Sequence, residues 1–179
     1  MKVLFTFILI VSVVFSSTWK NLDSDTPSPY IKDVISSIEG ETTVHFKLTG
    51  FHQIPIKTDR GDAFIFKTEL GASLLQEGAP DLQKHSASLR IPNNAHMVVE
   101  VVESDYIEYM DIVVSPSKGN LTRNINPADV PYNWGKAYSD NNFFPKKLAD
   151  LNDPYILRDF RGQTVNVYPF QYNPQTLIL

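Results

Sequence analysis

A two-residue period in short runs constrains this chain more than any other feature. In "TVHFKLTGF" (43–51), Val44, Phe46 and Leu48 share one face and His45, Lys47 and Thr49 the other. In "SASLRIP" (86–92), Ala87, Leu89 and Ile91 alternate with polar neighbours. That spacing makes one apolar face on a strand and scatters the same side chains around a helix. Further strands are expected in "DAFIFKTEL" (62–70) and in "QTVNVYPFQY" (163–172), where Pro169 marks an edge or a bulge. "HMVVEVVESDYIEYMDIVVSP" (96–116) reads as two strands joined at Glu103-Ser104-Asp105. "YIKDVISSIE" (30–39) is ambiguous between strand and helical turn. Short strands separated by turn signals specify an all-β fold, an antiparallel β-sandwich of jelly-roll-like type.

Between Pro116 and Gly162 the period stops. Asn126-Pro127, Val130-Pro131, Phe144-Pro145 and Asp153-Pro154 punctuate a long irregular insertion, with one short helix expected at "KKLADL" (146–151). Long irregular stretches inside compact β domains are uncommon and often functional. Upstream, Lys2 followed by the apolar run Val3–Phe15 and small residues reads as a signal peptide over 1–16. Residues 17–43 read as a leader, and 44–179 as the folded domain. Cleavage near Ser16 would send the chain out of the cell, with no membrane anchor left after it.

Removal of 1–16 leaves 15 basic against 20 acidic residues, or −5. A mildly acidic chain lacks the clustered basic face that phosphate neutralisation requires, so nucleic acid is not an expected partner. Cysteine is absent, which excludes a thiol nucleophile and disulfides from this chain. The four histidines, His45, His52, His85 and His96, are scattered without metal-ligand spacing and read as solvent or edge residues. Glu100, Glu103, Asp105 and Glu108 alternate with apolar residues, as the solvent face of a hairpin does. No catalytic residue, metal or cofactor is expected.

One arginine is unusual in its setting. Arg123 lies in "SKGNLTRNINP" (117–127), with no acidic residue within five positions on either side. It is either a solvated loop cation or a side chain offered to a partner, and its residues alone leave both readings open. Thr122 and Asn124 flank it, and Asn126 precedes Pro127, which favours extended backbone there. Lys118 is the closest competitor as the offered cation. Tyr132, Trp134, Tyr138, Phe143 and Phe144 form an aromatic set that suits either an interface or the pinning of the insertion to its own domain.

Several stretches together resemble the N-terminal propeptide of gingipain-type cysteine peptidases. They are "EGAPDL" (77–82), "VVEVVESDYIEYMDIVVSPSKG" (98–119), "NPADVPYNWGKAY" (126–138) and "FFPKKLADLNDPYILRDFRGQTVNVYPFQYNPQT" (143–176). The resemblance runs from about Val44 to Thr176 and is most specific over 153–174. It implies a β-sandwich pro-domain that assists folding of a peptidase catalytic domain and keeps it latent. It also implies a basic side chain inserted into that peptidase's S1 pocket from the loop between Ser-Lys-Gly and Asn-Pro, which here is Arg123. In the family the chain continues past "YNPQT" into another strand and the catalytic domain; here "LIL" follows, so an open edge at the C-terminal strand is expected. The alternative is a secreted β-sandwich binding or adhesion module that uses the aromatic insertion as its platform.

Overall fold

The computed structural model describes residues 16–23, 30–38 and 40–179. Apart from Ser16, the expected signal peptide lies outside them. Ten strands follow in order: β1 (Thr18–Asn21), β2 (Tyr30–Ile38), β3 (Glu41–Leu48), β4 (Gly50–Thr58), β5 (Gly61–Lys67), β6 (Ala72–Ser73), β7 (Gln83–Ile91), β8 (Ala149–Leu151), β9 (Tyr155–Leu157) and β10 (Phe160–Val167). Every strand-to-strand ladder is antiparallel, the class that the two-residue period specifies. One sheet has the order β1-β4-β5 and a second β6-β7-β10-β8, with β9 also on β10; β2 and β3 form a hairpin. The ambiguous stretch 30–39 is therefore strand, and the stretch read as a leader carries β1 and β2.

The expected faces hold where they were clearest, except at Thr49, which is buried between β3 and β4. Val44, Phe46 and Leu48 are half-buried while His45 and Lys47 are exposed. Leu89 and Ile91 turn inward while Ser88 and Arg90 face water. The core joins Phe51 of β4 and Phe66 of β5 to Leu82, Val114, Phe170, Tyr172 and Leu179. The Phe51 ring meets Phe66, Tyr109 and Phe170 edge to face at 5.6, 5.8 and 5.3 Å, an arrangement that satisfies the ring quadrupoles as well as burying area.

Four expectations fail locally. The segment 98–108 joins no strand, and Val98, Val102 and Tyr106 are 91, 85 and 82 % exposed. Alternation states which side chains would share a face but supplies no partner strand. The later part of 96–116 forms no continuous ladder but pairs at isolated positions, Val114 beside Phe64, Pro116 beside Pro80 and Tyr109 beside Leu179. "KKLADL" contains a strand, not a helix: Asn166 of β10 binds the Asp150 carboxylate at 2.9 Å, and Leu148 carbonyl accepts from Tyr168 N at 2.9 Å. Sheet pairing overrides helix propensity there. His85 is buried, not at an edge; its Nε2 lies 2.8 Å from Thr68 Oγ1 and its ring 5.0 Å from Phe46. Burial, helped by the Lys32 charge, holds its imidazole below the usual histidine range. Finally, the C-terminal residues lie in the core: Leu179 exchanges both main-chain hydrogen bonds with Tyr109, and Asn173 N donates to Ile178 carbonyl.

Candidate functional site

The Arg123 loop grows from a rail. Residues 113–117 run beside β5, with Phe64 N donating to Val113 carbonyl (2.8 Å) and Ser115 N to Phe64 carbonyl (2.9 Å). On the other side Asp81 N donates to Ser115 carbonyl, Ser117 N to Ala79 carbonyl and Gly78 N to Ser117 carbonyl, at 2.8, 2.8 and 3.0 Å. Val114, Ser115, Pro116 and Ser117 are buried. The chain then turns outward at Gly119, whose φ of +78° favours a residue without Cβ and which sits against Glu77.

Beyond Gly119 the loop is short and internally bonded. Ile125 N donates to Thr122 carbonyl at 3.0 Å, so Arg123 and Asn124 occupy the tip of a turn. Thr122 Oγ1 donates to Asn124 Oδ1 at 2.6 Å. Asn126, extended at φ −75° and ψ 120°, accepts Ala128 N on its side chain (3.1 Å) and starts the 3-10 turn Pro127–Asp129. Lys118 Nζ reaches across the base to Pro127 carbonyl at 2.6 Å and lies 4.3 Å from the centre of the Tyr132 ring. Arg123 is exposed, and its guanidinium has no hydrogen bond or ion pair among the described residues.

The aromatic set is distributed rather than gathered into one patch. Trp134 donates from Nε1 to Asp59 Oδ1 (2.9 Å), carries the Arg60 guanidinium over its ring at 4.8 Å and meets Tyr138 edge to face at 4.7 Å. Tyr138 donates its hydroxyl to Val114 carbonyl (2.9 Å), and burial above all raises its ionisation well beyond the ordinary phenol range. Phe144 exchanges two 2.8 Å main-chain bonds with Tyr172 and packs against the core. Tyr132 lies under Lys118; burial, and then the Asp81 carboxylate, push its ionisation up. Phe143 is the most open of the set, at 40 % exposure.

The insertion is strapped to the rail by two glycines. Gly135 N donates to Gly78 carbonyl at 2.9 Å, and a Cβ on Gly135 would stand 2.8 Å from that oxygen. Asn133 Nδ2 donates to Glu77 Oε1 at 3.3 Å beside it. Thus the β4–β5 turn with Asp59 and Arg60, the Glu77–Gly78 turn, the strap 133–138 and the Arg123 loop meet at one end of the domain. Arg60 and Lys118 are engaged there and Arg123 is not. Sequence spacing placed Arg123 on a turn but missed the work of Lys118, Gly78 and Gly135, because their partners are distant in the chain. Chemically, this end can present a permanent, planar cation on a shaped loop. Among the described residues no group of three or more His, Cys, Asp or Glu could hold a metal ion.

Comparison with known proteins bears on the same chain. The family model Propeptide_C25 matches residues 25–179. Gingipain R1 of Porphyromonas gingivalis is 40 % identical over 152 residues, covering 85 % of this chain and 15 % of that relative. Gingipain R2 of the same species is 37 % identical over 97 % of this chain and 24 % of that relative. The chain therefore spans a quarter or less of the length of these relatives. The solved complex of Porphyromonas gingivalis RgpB pro- and mature domains superposes with a TM-score of 0.79 at 37 % identity, covering 82 % of this chain and 77 % of that one. A structure concerned with the zymogenic latency of gingipain K shares the fold, with a TM-score of 0.67 at 16 % identity. With the match running through the Arg123 loop and both flanking sheets, the chain belongs to the gingipain propeptide family.

Proposed function

We propose that this chain is a pro-domain that holds the catalytic domain of a gingipain-type cysteine peptidase latent, with Arg123 filling the peptidase's S1 pocket, and that it assists folding of that domain. The observation that carries the reading is the unengaged, exposed guanidinium at the tip of a bonded loop, beside Lys118 and Arg60, which are both committed within the domain. An S1 pocket floored by a carboxylate binds a guanidinium through two parallel hydrogen bonds. A loop shaped before docking loses less freedom on binding than a slack one. The relative whose structure is solved is a complex of pro- and mature domains, which supports a catalytic domain as the partner. The apolar run 3–15 supports action outside the cytoplasm.

The test is titration of the folded chain against an arginine-specific gingipain-type peptidase with a fluorogenic arginyl substrate. Arg123→Ala is expected to weaken inhibition by about 2–5 kcal/mol, the usual cost of emptying one side of a buried charge pair. Equal inhibition by both proteins would remove Arg123 from the mechanism. The alternative binding module predicts ligand capture indifferent to Arg123 and lost in Trp134→Ala; the engagement of Trp134 with Asp59, Arg60 and Tyr138 favours a structural part for that ring instead.

A further inference from the structure

We infer that Lys118 is a positioning residue for the inhibitory loop, a clasp whose ammonium group closes the base and so fixes how Arg123 is presented. The inference rests on the reading of Arg123 as the S1 contact and extends it to a residue whose ammonium group is held within this domain. Lys118 resembles a second bait in sequence, since it is a cation a few positions from Arg123 on the same exposed loop. Its surroundings give it other work. The ammonium donates to Pro127 carbonyl at 2.6 Å, bridging residues nine apart, and stands 4.3 Å from the Tyr132 ring centre. A cation over an aromatic face, with a carbonyl acceptor alongside, is held from two directions.

The bond joins the two ends of the loop. Lys118 follows the rail directly, and Pro127 opens the 3-10 turn that leads into the strap. Between them only short local contacts act, chiefly Ile125 N to Thr122 carbonyl and Thr122 Oγ1 to Asn124 Oδ1. Local turns of that kind set the shape of the tip but not its direction relative to the domain. The clasp sets the direction, because it ties the distal stem to the rail and Tyr132 to both. Without it the loop becomes a tether fixed only at its far ends, and more freedom is lost on docking.

Two measurements on the chain separate this inference from the reading beneath it. The first needs no peptidase: hydrogen exchange of the Ile125, Ala128 and Asp129 amides in wild type, Lys118→Met and Lys118→Arg. Methionine keeps the apolar stem and removes the charge; arginine keeps a cation within reach of the carbonyl. In Lys118→Met these amides are expected to exchange at least about tenfold faster, while the rail amides of Ser115 and Ser117 are unchanged. The second is inhibition of an arginine-specific gingipain-type peptidase, expected to weaken roughly tenfold in Lys118→Met, mainly through slower association, and to recover in Lys118→Arg. Unchanged loop exchange in Lys118→Met overturns the clasp whatever the inhibition does. Faster exchange with undiminished inhibition overturns the positioning role. An Arg123→Ala chain that still inhibits fully sinks the S1 reading instead, and the exchange data then judge the clasp alone.

Discussion

At position 123 an arginine differs from a lysine in shape as well as charge. The guanidinium offers a planar fork to a carboxylate, whereas an ammonium makes single bonds from a point charge. Arg123→Lys should therefore keep the loop intact yet weaken inhibition of an arginine-specific peptidase by about 2 kcal/mol. Steady-state titration beside wild type checks it, and equal potency would mean that charge alone is read. His85 gives a second prediction at this scale. Its folded-state pKa lies below the ordinary 6.5, by burial first and Lys32 second, so the unfolded chain binds more protons. Its contribution to stability is full above pH 6.5 and falls as pH drops below it. Melting temperature should decline between pH 7.5 and 6 in wild type and flatten in His85→Gln; an unaltered slope in the variant would assign the effect elsewhere. Nothing near residue 85 in the sequence announces this burial, because Thr68 follows β5 while Phe46 and Lys32 come from β3 and β2.

Strand faces were legible where partners lay close by. The alternation of β3, which pairs with the neighbouring β2, could be read directly and β5 was expected within 62–70, while β4 between them was not singled out. The short β8 could not be read, because its reason for being a strand is Asn166, on β10. That side chain is 2 % exposed and donates to Asp150 Oδ1 and Asn152 Oδ1 at 2.9 and 2.8 Å, while accepting from Ser86 Oγ at 2.8 Å. Tyr168 adds a bond to the same Asp150 carboxylate, and burial together with that bond raises its phenol to about 12. Asn166→Ala empties a buried position and leaves Asp150 of β8, Asn152 just after it and Ser86 of β7 without their partner. It should cost about 2–3 kcal/mol in urea unfolding and speed exchange of the Asn152 amide, which donates to Thr164 carbonyl, before that of β7. Uniform loss across β7 and β8 would show that the network does not single out β8. The stretch 98–108 is rich in β-branched residues but lacks the strict two-residue period of β3, and it joins no sheet.

Across the whole molecule, stability and inhibition should separate by position. Leu179 is 8 % exposed among Phe51, Phe170 and Tyr172, so Leu179→Ala should lower unfolding free energy by about 2–4 kcal/mol. Arg123→Ala, at an exposed loop tip, should change it by no more than about 0.5 kcal/mol. Urea titrations followed by circular dichroism measure both, and a large loss for Arg123→Ala would mean that the arginine serves the fold. The pairing of Leu179 with Tyr109 carries a further meaning in time. Residues 172–179 complete the core around Val114, part of the rail from which the Arg123 loop departs. Residues 172–179 follow every described strand in the chain, so local hairpins form first and closure of the core comes late, as long-range β pairing generally does. The Arg123 loop is then set in its finished shape only after residues 172–179 have packed beneath the rail.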